Sequence, residues 1–303
     1  MRGVLVILGM NLLTGCAPGA SDNNSVRMLA VRFQATLDTW ARLRRDLVCP
    51  EHFMKPNATR TGGEFDAHSY FTVLKHIQMQ EGYVLDYVYA YRNLGGHPIL
   101  YARRTEQTRY ATEADFKDAI RARAHLDEVE KAYEEYRTAL QETDDLDPER
   151  LATADDRLEE RLADFPNHEY WEWYLEHVQI DGSKEGYLEF VALHLLGDQF
   201  YLYWHANYHD TRIIADKSAL DDLFGQAFFL DHKLPQSLRA EAERLDYSPQ
   251  VEITESQAKV SIVTFSKWGG FQREHFIVDT RFPHRIVADS KETLISYFCD
   301  MWY

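Results

Sequence analysis

The sequence predicts an α+β protein: a mostly antiparallel sheet of about eight to ten strands, with helices on one side and a helical insertion. Three observations carry that expectation. Runs of β-branched and aromatic residues are joined by short Gly- or Asp-containing turns, which favours antiparallel pairing over βαβ crossovers. Two stretches, near residues 25–47 and 111–164, keep helical spacing instead. The 303 residues are 45% hydrophobic, enough for a sizeable core, while a mean hydropathy of −0.46 and 27% charged residues describe a water-facing surface.

The amino terminus is organised differently from the body. Arg2 is a short positive region, Val4 to Leu13 is apolar, and Leu13-Thr14-Gly15-Cys16 closes the run with small residues before a cysteine. The apolar stretch is too short for a spanning helix and reads as a signal peptide over residues 1–15. LTGC resembles the lipobox of bacterial lipoproteins. The resemblance covers residues 1–16 and no family is recognised for the folded body. It implies cleavage before Cys16, a diacylglyceryl group on its sulfur and fatty acylation, such as palmitate, of the new amine. Several acyl chains at about 0.8 kcal/mol per buried CH₂ make such an anchor effectively permanent. The resemblance implies a place in the bacterial cell envelope, and Ala17 after the cysteine points to the outer membrane in a Gram-negative cell. Residues 16–25 read as a lipidated, small-residue polar tether.

The formal charge of −16 becomes about −17 without Arg2. That balance argues against nucleic acid as a partner and against docking through anionic headgroups. With Cys16 acylated, Cys49 and Cys299 remain; an oxidising compartment permits a disulfide between them, and two separate buried thiols are the alternative.

Residues 26–303 read as one body. Leu29, Phe33, Leu37, Trp40 and Leu47 form the apolar face of a first helix, with Arg42, Arg44 and Arg45 suiting its last turn; core packing and a position on the membrane beside the anchor both remain open. Residues 83–103 form two strands around a glycine turn. Residues 111–164 form the helical insertion. Residues 187–206 read as strand, Gly-Asp turn and strand, with a helix from Ser183 to Gly197 as the alternative for the first half. The strand reading draws on a likeness between 66–103 and 167–206: His76-Ile77-Gln78-Met79 matches His177-Val178-Gln179-Ile180, and Gly82-Tyr83 matches Gly186-Tyr187. A duplicated helix-plus-hairpin unit, with helices capped by Asp66 and Asn167, and chance similarity both remain open. A strand near Thr211 to Ala215, a helix capped by Ser218 with Asp221, a helix opened by Pro235, and β-structure over the last fifty residues complete the body.

Chemistry-bearing residues are few. His205 and His209 would bind a divalent metal only if helical, and His205 with Asp210 is the candidate acid/base pair; no HExxH accompanies them. No cofactor is otherwise implied. Tyr170, Trp173 and Tyr174 form an aromatic stripe that suits a glycan or a core face. The leading expectation is a noncatalytic envelope lipoprotein binding a protein or small ligand. The alternatives are a hydrolase or metalloenzyme using His205, His209 and Asp210, and a scaffold that works by oligomerising.

Overall fold

The computed structural model describes residues 20–92, 95–124, 170–204, 211–225 and 233–299. Among them five α-helices accompany ten strands, every strand pair antiparallel, so the chain is α+β. The strands divide into three sheets rather than one: β1 (Ile77–Met79) with β4 (Val178–Ile180); β2 (Tyr83–Arg92), β3 (Gly95–Arg104) and β5 (Tyr203–Trp204); and a five-stranded sheet in which β10 (Ile286–Ile295), β9 (Gly270–Asp279) and β8 (Gln257–Ser266) run side by side. β6 (Arg212–Ile213) and β7 (Gln250–Ile253) share the remaining edge of β8, at its two ends.

α1 (Ala20–Arg45) buries Leu29, Ala30, Phe33, Leu37 and Trp40, as the helical spacing predicts. It starts well inside residues 16–25, which shortens the expected tether. Arg44 turns inward, its guanidinium 4.4 Å from the Trp40 ring and donating to the Leu196 carbonyl. A 3-10 turn (Ala67–Thr72), capped by Asp66, leads to β1 (Ile77–Met79). β2 (Tyr83–Arg92) and β3 (Gly95–Arg104) form the expected hairpin, in register from Tyr83↔Arg104 to Arg92↔Gly95. Its two faces meet different partners, as a period of two requires. Leu85, Tyr87 and Tyr89 join the main core, whereas Val88, Ala90, Ile99 and Tyr101 pack with Phe116 and Ile120 of α2 (Glu113–Ala124).

The free edge of β2 is covered by the segment that precedes β1. Arg60 Nη1 donates to the Tyr87 carbonyl (2.9 Å) and to Asp86, and the Leu85 N–H donates to His68 Nδ1 (3.3 Å). An edge strand left bare would offer these groups to another chain.

A second 3-10 turn (Tyr170–His177) leads to β4 (Val178–Ile180), and then the chain departs from the strand expected over 187–196. It forms helix α3 (Lys184–Leu196), capped by Ser183 Oγ accepting from the Gly186 N–H at 3.0 Å. Tyr187, Leu188, Phe190, Val191, Ala192, Leu193 and Leu196 are all buried, because α3 touches α1, β1, β4, β7 and β8. A helix packed on every side has no polar face, so its sequence reads like a buried strand. α3 thus packs against both the β1–β4 pair and the β7–β8 part of the large sheet.

The duplicated helix-plus-hairpin unit is therefore corrected: one block continues as a hairpin and the other as a helix. The likeness has a local cause, because β1 and β4 are each other's partners, Ile77 opposite Ile180, Gln78 opposite Gln179 and Met79 opposite Val178. Gln78 Nε2 donates to Gln179 Oε1 across the pair at 3.2 Å.

Short strands β5 (Tyr203–Trp204) and β6 (Arg212–Ile213) precede α4 (Lys217–Gly225). The cap of α4 is Asp216, whose Oδ1 accepts from the Ala219 N–H (3.1 Å) and Ser218 Oγ (2.6 Å), and not Ser218 with Asp221. α5 (Gln236–Ala242) follows Pro235 as expected. β7 (Gln250–Ile253), β8 (Gln257–Ser266), β9 (Gly270–Asp279) and β10 (Ile286–Ile295) complete the large sheet. Gly270 has φ +76, and a Cβ there would lie 2.1 Å from the Ile295 carbonyl oxygen, so only glycine fits. Beyond residue 124, the helical insertion lies outside the described residues until residue 170.

Candidate functional site

A cavity of about 360 Å³ opens between the β2–β3 hairpin, α2 and the turn Tyr170–His177. Tyr101 and Phe116 stack at 5.2 Å, and Tyr110 closes the group at 5.0 Å from Tyr101. The Tyr110 N–H donates to Tyr101 Oη (3.0 Å), and burial pushes the Tyr101 hydroxyl up, so it stays a neutral phenol. Leu100, Ala102, Ala119 and Ile120 add apolar wall; Arg104, Gln107, Glu176 and His177 supply the polar groups.

Local structure explains how those polar groups are held. Gly82, at φ +83, turns the chain into β2, and its carbonyl accepts from the Thr105 N–H at 2.9 Å. Gln80 grips His177 twice, through its N–H to the His177 carbonyl (2.7 Å) and its Oε1 to His177 Nδ1 (3.0 Å). The imidazole is thereby stacked on Tyr83, centroids 4.0 Å apart and planes within 16°. Arg104 reaches over the Tyr83 ring at 5.8 Å. Glu176 is tied to Arg285 at 3.0 Å, joining the rim to the β9–β10 connection.

Of the aromatic stripe, the side chain of Tyr174 lines this cavity, with its hydroxyl donating to the Leu193 carbonyl at 3.2 Å. The side chains of Tyr170 and Trp173 lie outside the described ones. The stripe rests on a 3-10 turn instead of an α-helix, so residues three apart align. Tyr174 therefore shares its direction with His177, a partner that the spacing in the sequence did not mark. Tyr83, Arg104 and Gln107 were missed because they come from a segment about 70–90 residues away.

Cys16, His205, His209 and Asp210 lie outside the described residues, as does Asn167. Cys49 and Cys299 are both free, half-buried thiols, so of the two alternatives the chain has separate thiols and not a disulfide. They belong to different parts of the fold: Cys49 packs against the main core with Sγ 3.3 Å from Tyr89 Oη, whereas Cys299 follows β10 and its N–H donates to the Lys267 carbonyl (2.9 Å). Burial pushes the Cys49 thiol up, which keeps it protonated and unreactive.

One Ser-His-carboxylate group occurs among the described residues, and its geometry is that of a cap. Asp181 Oδ2 and Ser183 Oγ both approach the same imidazole nitrogen, His76 Nδ1, at 2.8 and 3.4 Å. A nucleophile and its orienting acid need opposite nitrogens of the ring. Ser183 instead donates to Asp181 Oδ1 (2.5 Å) and caps α3. Ser183→Ala should lower stability by about 1 kcal/mol in a urea titration, the value of a cap, leaving any ligand binding unchanged.

Among the described residues no group of three or more His, Cys, Asp or Glu side chains is placed to hold a metal ion, and no helix is long and apolar enough to cross a membrane. Compared with protein-family models, curated proteins and solved structures, the chain matches none.

Proposed function

We propose that this chain is a lipid-anchored binding protein of the bacterial cell envelope, held by acylated Cys16, and that the cavity between the hairpin, α2 and the Tyr170–His177 turn takes a small glycan. The cavity is the observation that carries the second part. Its volume of about 360 Å³ suits one or two sugar rings. The guanidinium, amide, carboxylate and imidazole of Arg104, Gln107, Glu176 and His177 suit sugar hydroxyls, and the half-buried Tyr110 ring beside them suits the C–H face of a pyranose. The Ser183 cluster caps a helix, which supports binding without catalysis. The LTGC sequence supports the anchor.

Mass spectrometry of the native protein should find a chain beginning at acylated Cys16; an intact Met1 would overturn the localisation. For the cavity, calorimetric titration with N-acetylglucosamine, its short oligomers and neutral hexoses should give saturable binding. Arg104→Ala and Gln107→Ala, both at exposed positions, should each weaken it about 10- to 100-fold, the worth of a lost ligand hydrogen bond, with the melting temperature unchanged. Affinity unaltered by both substitutions, or no binding by any of these sugars, would reject the cavity as a glycan site.

A further inference from the structure

The helix that follows the anchor has an outer face unlike the rest of the surface. Three residues separate Cys16 from Ala20, where α1 begins, and the four steps between them span at most about 14 Å when fully extended. Along the helix, Ala20 to Val31 adds about 17 Å. If Cys16 sits in a bilayer, the first three turns of α1 cannot leave its vicinity. The inner face of these turns is committed to the core through Leu29, Ala30 and Phe33. The outer face leaves Met28 49% and Val31 47% exposed, and Ala35 continues their line at helical spacing.

Charge distinguishes this face further. The whole chain carries −16, which argues against docking on anionic lipid through the body at large, yet α1 holds five arginines and two aspartates. Arg27, Arg42 and Arg45 are exposed around the apolar line. Arg32 is paired with Glu185 at 2.5 Å, and the acid on that face, Asp38, is occupied by Gln34 Nε2 at 2.9 Å. Apolar residues flanked by arginines, on a helix tethered within a few residues of acyl chains, match the chemistry of a headgroup layer.

We propose that α1 lies along the bilayer that holds the Cys16 acyl chains, with Met28 and Val31 at the boundary of headgroups and acyl chains and Arg27 and Arg42 at lipid phosphates. The proposal rests on the lipoprotein reading and adds an orientation to it: the body rests on one helix face instead of swinging on a leash.

The test uses the full lipidated protein in vesicles of phosphatidylethanolamine with one quarter phosphatidylglycerol. A spin label is placed by Met28→Cys or Val31→Cys, with Ser290→Cys on β10 as the exposed control, in a Cys49→Ser, Cys299→Ser background. Oxygen should relax labels at 28 and 31 several-fold more, relative to a water-soluble nickel complex, than at 290. Equal ratios at all three positions, in a chain that floats with vesicles and carries acylated Cys16, would overturn the orientation alone. A chain without acyl groups at Cys16 would overturn both readings.

Discussion

Replacing Arg60 with methionine should lower the unfolding free energy by about 3–5 kcal/mol, the cost of breaking a buried ion-pair network by removing one member. The Arg60 and Glu64 side chains are each 2% exposed and that of Asp86 is 7% exposed, and the Arg60 guanidinium lies 3.8 Å from the Tyr87 ring. Arg60 Nη1 pairs with Asp86 Oδ1, and Arg103 Nε takes the other carboxylate oxygen at 2.9 Å. Methionine keeps the length and apolar stem but leaves Asp86 with one cation and the Tyr87 carbonyl unpaired on the edge of β2. Guanidinium titration should show a lower midpoint with an unchanged slope, and light scattering should rise as the bare edge finds partners. Adding Asp86→Asn to Arg60→Met should return part of the loss by removing a buried carboxylate charge that has lost one of its two cations. A loss under about 1 kcal/mol in the single variant would mean that the network is no stronger than an exposed ion pair.

Acid should destabilise the protein in two windows. His194, buried in α3 against Phe276, has its pKa pushed down to about 4, by burial first, with Asp289 opposing and Lys291 assisting. Its folded value is below the usual 6.5, so the unfolded chain takes the proton first; the stability from the neutral ring is complete above pH 6.5 and is lost as pH falls toward 4. His284, lowered by burial against an opposing bond to the Asp279 carbonyl, acts with the same sign. Glu64 titrates later. Burial alone would raise it, but the N–H and Oγ1–H of Thr61 and the N–H of Gly62 outweigh that and hold it at about 2. Its contribution is complete above pH 4.5 and is lost as pH falls toward 2. The His194 and Glu64 shifts each correspond to about 3 kcal/mol at most. Denaturation midpoints at pH 7.5, 5.5, 4 and 3 should fall at every step. His194→Gln should flatten the first part of the curve and Glu64→Gln the last, at the expense of stability at neutral pH. A flat profile between pH 7 and 4 would refute the buried-histidine account.

Where one face of an element is buried, its period was readable. The spacing of Leu29, Phe33, Leu37 and Trp40 gives α1 its core face, and the alternation through 83–104 and 250–295 gives the strands that the structure contains. The α3 segment failed that test because its apolar residues are buried all round; Ser183 as a cap was the local signal for a helix, outweighed by a likeness whose structural counterpart is confined to the paired strands β1 and β4. Half of the cavity was legible in the same limited sense. Tyr174 stands in a visible aromatic cluster, but nothing local marks Tyr83, Arg104 or Gln107 as its neighbours.

By itself the sequence determined the antiparallel α+β class, the hairpin, the first helix with its apolar face, and the expectation of an anchor at Cys16. These rest on local properties: turn residues, side-chain period, and a cleavage-site pattern read along the chain. Tertiary structure alone decided that α3 is a helix, that the strands split into three sheets, that Cys49 and Cys299 stay separate thiols, and that a 3-10 turn, a hairpin and α2 enclose one cavity. Those outcomes depend on which surfaces exclude water together. Burial is shared between segments distant in the chain, so no single segment carries its signature.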